Sequence, residues 1–219
     1  MEQVGVINMK VVKPRIELPL QTYYETMVTI VSTGARNCYQ SKKKSFEEEE
    51  KFIQWLIKLG HDSVLEHQSI TVKLTLDRAS AMQLTRHRIG VAFSITSQRY
   101  CNYQTERFNH EVPFIKPRGL NKDHETLWRL AMLDAEQAYM DLVEAGEKAE
   151  VARSVLPQCT ATTAVMTANL REWRHIFKMR ALNNHAQIDI RELMLSTLKL
   201  FYENYPCFFE DLYDQLKGE

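Results

Sequence analysis

Residues 83–99 read QLTRHRIGVAFSITSQR, and this stretch carries more information about fold and function than any other. The pattern predicts a short helix over Arg78–Arg88, and within Ser94–Tyr103 a turn followed by a strand. The triplets Arg86-His87-Arg88 and Ser97-Gln98-Arg99 bring three arginines close together among apolar residues. Arginine is a planar, permanently charged fork of donors. The stretch therefore predicts a site for an anionic, partly aromatic ligand such as a nucleotide.

Outward from this stretch, hydrophobic periodicity predicts one α/β (α+β) domain over residues 1–219, with a mixed central sheet flanked by helices. Ser45 and Glu48 form a capping box, which predicts a helix that ends near Gly60. The other predicted strands are Val4–Val12, Ile70–Leu76 and Thr160–Thr167. The other predicted helices are Thr22–Tyr39, Asp123–Glu150, Asn169–Arg180, Gln187–Tyr205 and a short one after Pro206. The side chains predicted to form the buried stripe of the helix Asp123–Glu150 are Leu127, Leu130, Ala131, Ala138, Leu142 and Val143.

Composition excludes several classes of protein. Twenty-eight basic residues balance 28 acidic ones in a chain of 219, which argues against a protein that coats DNA or RNA. No apolar run reaches the ~18–20 residues of a membrane span, and the N-terminus lacks the pattern of a signal peptide. The four cysteines are scattered without a CxxC pair, which is typical of reduced thiols. We therefore expect a cytoplasmic protein that binds neither nucleic acid nor membrane.

The predicted helix over Arg78–Arg88 would place Gln83, Arg86 and His87 on one face, since they are three and four residues apart. A surface network of salt bridges would also explain the cluster. However, Asp77 is the one acidic residue near these cations in the sequence. Arginines that lack acidic partners repel one another, which favours a bound anion.

The helix predicted at Asn169–Arg180 carries Trp173, Ile176 and Phe177 on its apolar stripe, and Arg180 continues that stripe. A buried arginine needs an anionic or hydrogen-bonding partner, because its unpaired burial costs several kcal/mol. That partner is either a ligand or a structural acid such as Asp189 or Glu192. On another face lie Arg171 and His175, with His185 beyond the helix, and such side chains suit the edges of a heterocycle.

Three further features have competing explanations. Arg153 is a lone cation in an apolar stretch, which suggests an anionic partner. Cys159 could be a nucleophile, but no histidine follows it closely, so a core position is favoured. His61 and His67 are six residues apart, a spacing that matches no standard zinc motif, so we predict no metal site.

These residues fall into an ordered series of motifs. The series comprises His61-x-Ser63-x-x-Glu66-His67, Gln83-x-x-Arg86-His87-Arg88, Ser97-x-Arg99, Arg153-x-x-Leu156-Pro157, Asn169-x-Arg171, His175, Arg180 and His185. It resembles flavin-dependent thymidylate synthase over nearly the whole chain, with Arg-His-Arg and a downstream serine as the family's signature. The spacings from Arg88 to Ser97 and from Arg180 to His185 are each one residue longer than the commoner family spacing.

The resemblance implies an enzyme that methylates dUMP to dTMP, with methylenetetrahydrofolate as carbon donor, FAD as cofactor and NADPH as reductant. It implies an obligate homotetramer whose sites are shared between subunits. In this family's chemistry Arg180 is the catalytic residue, favouring the N3 anion of the pyrimidine without a cysteine nucleophile. The implied substrate-binding residues are Gln83, Arg86, Ser97, Gln98, Arg99, Arg153 and Arg180. The implied FAD-binding residues are His61, Ser63, Arg86, His87, Arg88, Asn169, Arg171, His175 and His185.

Two other functions remain open from the sequence. One is a nucleotide-modifying enzyme that uses Cys159 as nucleophile. The other is a module without enzymatic activity that binds nucleotides through the arginine cluster.

Overall fold

A computed structural model describes residues 9–18 and 23–216. The predicted strand Val4–Val12 lies mostly outside the described residues, as does Thr22 at the start of the first predicted helix. The strands are β1 (Arg15–Glu17), β2 (Ser69–Asp77), β3 (Val91–Ile95) and β4 (Ala161–Asn169). The helices are α1 (Tyr24–Tyr39), α2 (Phe46–Lys58), α3 (Arg78–Leu84), α4 (Glu125–Glu144), α5 (Ala149–Ala152), α6 (Leu170–Arg180), α7 (Ile188–Asn204) and α8 (Pro206–Asp214).

The strands form a sheet of order β1-β2-β4-β3. Strand β4 is antiparallel to both of its neighbours. On one side Asn169 N donates to Gly90 O and Thr96 N donates to Thr163 O, so the partner numbers run in opposite directions. On the other side Leu170 N donates to Gln68 O and the hydroxyls of Thr71 and Thr167 are 2.8 Å apart, so the numbers again run in opposite directions. The predicted mixed sheet is thus a small antiparallel one, because β2, β3 and β4 alternate in direction without a parallel crossover.

Contacts within the chain divide it into two compact units. Unit 1 combines the described residues up to Arg15 with Thr75–Met82 and Ile95–Ala164. Unit 2 combines the described residues of Ile16–Leu74 with Gln83–Ser94 and those of Val165–Glu219. The single domain over 1–219 and the homo-oligomer remain predictions. None of the described helices is long and apolar enough to cross a membrane.

The core of unit 1 is built around α4. Met132 and Tyr139 are buried in a cluster with Tyr103 and Phe114, and the Tyr139 hydroxyl accepts from Tyr103 N. The stripe predicted for this helix is wrong at its N-terminal end, where Leu127 is 71% exposed. Leu130 and Ala131 are exposed as well, whereas Leu142 and Val143 pack against the cluster. The inward face follows the large side chains of Met132 and Tyr139, which lie two turns apart.

The core of unit 2 is aromatic. Trp173 and Phe177 of α6 contact Phe201 of α7, and Phe209 of α8 completes the group. Trp173, Ile176 and Phe177 are fully buried, which confirms the stripe predicted for α6. At the start of α2, Ser45 and Glu48 form the predicted capping box. These helices fix the backbone of α6, which carries most of the candidate site.

Three elements differ from the prediction around the decisive stretch. Helix α3 stops at Leu84 instead of Arg88, and β3 begins at Val91, so the strand precedes the turn of residues 96–103. The long predicted helix ends at Glu144, followed by Gly146 with a φ of 96°. Helices commonly end where the next residues adopt a left-handed backbone conformation, and glycine adopts it at little steric cost.

Candidate active site

Arg86-His87-Arg88 forms the turn between α3 and β3. His87 N donates to Leu84 O at 2.9 Å, which closes the turn directly after the helix. The prediction that Gln83, Arg86 and His87 share one helical face is therefore wrong. The turn instead buries His87 and leaves Arg86 and Arg88 exposed. Neither of these two arginines pairs with a carboxylate in the part of the chain that the structure describes.

Gly90 ends this turn with a φ of 67°. A Cβ at this position would lie 2.2 Å from Asn169 Nδ2, so only glycine fits. Asn169 caps α6, because its Oδ1 accepts from Glu172 N at 2.8 Å. Gly90 and the cap therefore fasten the Arg-His-Arg turn to the start of α6. Sequence reasoning assigned no role to Gly90, although a glycine two residues after the polar triplet was the available signal.

Arg180 lies at the far end of α6 and is partly buried. Its guanidinium donates through Nε to His87 Nε2 at 3.4 Å, and through its two terminal nitrogens to Gln83 O at 3.3 Å and Gln83 Oε1 at 3.5 Å. No carboxylate of the described chain pairs with it, neither Asp189 nor Glu192. These long bonds to neutral acceptors leave much of its donor capacity for a ligand.

The charge of Arg180 is poorly compensated by its surroundings. Burial lowers its pKa, and the nearby Arg86 guanidinium lowers it further. Arginine still stays protonated at neutral pH, since its ordinary pKa exceeds 12. A permanent charge in a partly dry position, with no acid beside it, is a strong attractor for an anion.

His87 connects Arg180 to a carboxylate. Its Nδ1 lies 3.0 Å from Glu172 Oε1, and its ring meets the His175 ring edge-on at 5.5 Å. Burial lowers the pKa of His87; Glu172 opposes this shift, whereas Arg180 and His175 reinforce it. His87 is therefore neutral at neutral pH. The ligand atoms of His87, Glu172 and His175 lie within 4.8 Å of one another, but the adjacent Arg180 guanidinium opposes a metal cation there.

A cavity of about 450 Å³ lies along the start of α6. Three predicted FAD-binding residues line it, namely Asn169, Arg171 and His175. Arg171 is held there by Glu66, at 2.6 Å between guanidinium and carboxylate. The remaining lining residues are Asp62, Glu66, Ile89, Glu172, Arg174 and Lys178.

The predicted FAD-binding residues His61, Ser63 and His185 are exposed. His61 and Ser63 flank the start of the short helical turn Asp62–His67, which also carries Asp62 and Glu66 into the cavity lining. His185 lies in the loop after α6, where its backbone N donates to Asn183 Oδ1. The structure brings none of the three side chains into the Arg180 cluster.

The remaining predicted substrate-binding residues belong to unit 1. Arg99 Nε lies 3.1 Å from Glu150 Oε2, and Arg153 Nε donates to Glu150 O at 3.3 Å, so Glu150 joins the two arginines. Ser97 is partly buried and its hydroxyl accepts from Arg99 N. Gln98 is only 5% exposed, and its Nε2 has no partner among the described residues.

Sequence reasoning missed Glu150 and Glu172, and it named Glu66 in a motif without giving it a partner. The carboxylates of Glu66, Glu150 and Glu172 hold Arg171, Arg99 and His87 respectively, and each acid is distant in sequence from that partner. It also missed Arg174, the most deeply buried arginine of the described chain at 4% exposure. Because no local pattern links Arg174 to Asp211, a single sequence contained no signal for that pair.

Two of the cysteines have raised pKa values. Cys159 Sγ donates to Met132 Sδ, and burial raises the pKa of its thiol. Burial raises the pKa of Cys207 to about 12. A thiolate is the reactive form of cysteine, so these raised pKa values oppose nucleophilic chemistry.

Comparison with known proteins gives the family. The family model for Thymidylate synthase complementing protein matches residues 19–207. A flavin-dependent thymidylate synthase of Geobacter sulfurreducens is 35% identical over 189 residues, covering 83% of this chain and 80% of the relative. The enzyme of the same description from Pyrococcus furiosus is 33% identical over 185 residues, covering 83% and 73%. The chain belongs to the flavin-dependent thymidylate synthase family.

As a member of the flavin-dependent thymidylate synthases, the chain is an enzyme of this type and uses a flavin. A solved structure supports the fold independently. The UMP/dUMP methylase PolB of Streptomyces cacaoi, bound with 5-Br UMP, matches with a TM-score of 0.75 at 20% identity. The match covers 94% of this chain and 96% of PolB. At this identity the likeness concerns the α+β fold alone.

Proposed function

We propose that this chain synthesises dTMP by reductive methylation of dUMP. In this reaction methylenetetrahydrofolate supplies the carbon, FAD is the cofactor and NADPH is the reductant. Family membership supports the reaction type, and PolB, which shares the fold, is itself a UMP/dUMP methylase. The single observation that carries the proposal is Arg180, a partly buried guanidinium held by neutral acceptors.

Arg180 is the proposed catalytic residue. Uracil C5 is a poor nucleophile until electron density moves onto the ring. A guanidinium against the pyrimidine edge stabilises the anion that forms when N3 loses its proton, and the effect is large where water is excluded. Gln83 holds the guanidinium from both its backbone and side-chain oxygens, so the charge is oriented before substrate binds.

The residues along the cavity suit part of a dinucleotide such as FAD. Arg171 and Lys178 line it, and the exposed Arg86 and Arg88 offer unpaired donors to phosphate. The cavity of about 450 Å³ accommodates part of such a molecule, which agrees with sites shared between subunits. When bound, reduced FAD would supply the hydride. We assign the flavin contacts to His61, Ser63, Arg86, His87, Arg88, Asn169, Arg171, His175 and His185.

We propose that Ser97, Gln98, Arg99 and Arg153 contribute further contacts to dUMP in an assembled cytoplasmic homotetramer. In such an assembly neighbouring subunits would cover exposed apolar side chains. Among them, Ile89 beside the Arg-His-Arg turn is 83% exposed and Leu127 is 71% exposed. Light scattering during size-exclusion chromatography tests this; a monomer that is fully active would contradict it.

The cysteine mechanism is the rival within enzymatic chemistry. The raised pKa of Cys159 and its bond to Met132 favour the mechanism without a thiolate. The other rival, a nucleotide-binding module, lacks any explanation for the orientation of Arg180.

A spectrum and a product assay test the proposal. Purified protein reconstituted with FAD should show flavin absorbance that bleaches with NADPH. Adding dUMP and methylenetetrahydrofolate should restore the absorbance and yield dTMP. A protein that binds no flavin, or one that is reduced and never forms dTMP, would contradict the proposal.

A further inference from the structure

Glu172, His87 and Arg180 form a continuous chain of hydrogen bonds within unit 2. Glu172 Oε1 lies 3.0 Å from His87 Nδ1, and Arg180 Nε lies 3.4 Å from His87 Nε2. The side chains of His87 and Glu172 are only 6% and 14% exposed, so solvent competes little for these bonds. None of the family motifs in the sequence includes Glu172.

Only one tautomer of His87 satisfies both ends of this chain. An ionised carboxylate accepts hydrogen bonds and cannot donate, so the proton of the neutral imidazole must sit on Nδ1. Nε2 then carries a lone pair. The guanidinium only donates, so it requires that lone pair as its acceptor. In the other tautomer the Nε2–H of His87 would point at the Nε–H of Arg180. The unprotonated Nδ1 would then face the Glu172 carboxylate, and neither contact would be a hydrogen bond.

We propose that Glu172 is a positioning residue, which fixes the Nδ1–H tautomer of His87 and thereby the orientation of the Arg180 guanidinium. The proposal rests on the proposed function, in which Arg180 faces dUMP. Glu172 itself need not touch substrate. Its own place is fixed by the α6 cap, where Glu172 N donates to Asn169 Oδ1 at 2.8 Å.

The other charged groups around His87 fit this arrangement. His175 and Arg180 from α6, and Arg86 beside Arg180, are the cationic or potentially cationic groups nearby, and Glu172 is the acid that contacts His87. A protonated His87 would place a second positive charge against the guanidinium. The neutral ring with a defined tautomer is therefore the state in which Arg180 is held.

A double-mutant cycle isolates this effect. Glu172→Ala should lower kcat for dTMP formation about 10-fold, a typical size for coupled residues. His87→Gln offers an amide oxygen near the position of Nε2, and this oxygen accepts from Arg180 without help from a carboxylate. In that background the further change Glu172→Ala should alter kcat less than ~2-fold. Glu203→Ala, which removes an exposed acid from α7, is the matched control and should leave kcat unchanged.

A second measurement does not depend on turnover. Nitrogen-15 NMR of histidine-labelled protein, assigned with His87→Gln, should show a protonated Nδ1 and an unprotonated Nε2 in the wild type. Glu172→Ala should give a mixture of tautomers, as should Glu172→Met, which keeps most of the side-chain size but offers no oxygen to Nδ1–H, if the alanine variant fails to fold. A purely structural role for Glu172 would leave the tautomer unchanged.

Two results would overturn the proposal. One is an equal loss of kcat from Glu172→Ala with His87 and with Gln at position 87. The other is an Nε2–H tautomer in the wild type. Because wild-type enzyme would still form dTMP in either case, these results differ from failure of the proposed function, in which the wild type forms none.

Discussion

Arg174 and Arg180 lie on the same helix, less than two turns apart, yet their environments are opposite. Arg174 donates to both oxygens of Asp211 and to Phe208 O, with only 5% of its side chain exposed. Arg180 has neutral acceptors at 3.3–3.5 Å and no carboxylate. The hydrogen-bond donors of Arg174 are used to stabilise the fold. Those of Arg180 remain largely available to a ligand. Burial of an arginine therefore indicates function only when its counter-ion is missing.

The largest expected effect is on catalysis. Arg180→Ala should lower turnover ~10²–10³-fold, the usual cost of losing one preorganised electrostatic group. Because Arg180 makes only long bonds to neutral atoms, its removal should change the free energy of unfolding by less than ~1 kcal/mol. Steady-state kinetics and urea unfolding measure the two quantities.

Arg180→Lys is the control for charge alone. A lysine is a point charge that cannot reproduce the planar fork, so its turnover should stay close to that of the alanine variant. Near-normal turnover in Arg180→Ala would remove Arg180 from the mechanism and erase the difference between the two arginines.

Arg174→Ala should show the opposite behaviour. Losing the buried bonds to Asp211 and Phe208 should lower the free energy of unfolding by about 2–3 kcal/mol, a value reduced because Asp211 is half-exposed. Arg171→Ala on the same helix is the matched control. Its pair with Glu66 is about half-exposed on both sides, so its removal should cost much less than the removal of Arg174. Equal losses in the two variants would show that Arg174 has no special structural role.

Sequence reasoning succeeded where local physics decides the outcome. The capping box of α2 and the apolar stripe of α6 need only neighbouring residues, and both were predicted. The face of α4 was wrong at its N-terminal end because Met132 and Tyr139 pack into a cluster formed by residues distant in sequence. The predicted end of α3 was wrong because the chain leaves the helix in a turn closed by His87 N and Leu84 O, which the helical pattern did not reveal.

The residues of the candidate site could be predicted from the sequence, but the contacts between them could not. The sequence predicted Gln83, His87 and Arg180, and the structure brings these three together. The acids that hold His87, Arg99 and Arg171 lie far from them along the chain, and a single sequence contains no information on such pairs. Glu172 is the clearest case, 85 residues after His87.

Gly90→Ala should weaken the link between the Arg-His-Arg turn and α6. The variant must adopt a φ of 67° and displace the Asn169 amide, which together should lower the free energy of unfolding by about 2–3 kcal/mol. Gly60→Ala is the control, since Gly60 has a φ of 75° but open space around its would-be Cβ. It should cost only ~1–2 kcal/mol. Thermal or urea unfolding of both variants isolates the collision with Asn169.

Stability should also depend on pH through His87. Burial holds the pKa of His87 below its ordinary value in the folded state, so the unfolded chain binds the proton first as pH falls. The contribution of His87 is therefore complete above the ordinary pKa of about 6.5 and is lost as pH falls from there through the lower folded pKa. The slope is at most about 1.4 kcal/mol per pH unit for one proton.

His87→Gln should remove this part of the slope in urea unfolding measured between neutral and mildly acidic pH. The exposed His124→Gln is the control and should leave the slope as it is in the wild type. If His87→Gln left the pH dependence of the unfolding free energy unchanged, burial would not shift the titration of His87. His87 would then not be the neutral acceptor that we assign to Arg180.

The smallest effect is expected at Cys159. Its thiol donates to Met132 Sδ inside unit 1, and burial raises the pKa of the thiol. Cys159→Ala should therefore lower the free energy of unfolding by only ~1 kcal/mol and change turnover less than ~2-fold. Cys38→Ala, at an exposed position on α1, controls for thiol removal in general. Turnover of dTMP separates the two chemistries: a thiolate attack on the pyrimidine requires Cys159, whereas stabilisation of the N3 anion by Arg180 does not. If Cys159→Ala were inactive and Arg180→Ala active, the electron density on the ring would come from sulfur, and the unpaired charge of Arg180 would need another explanation.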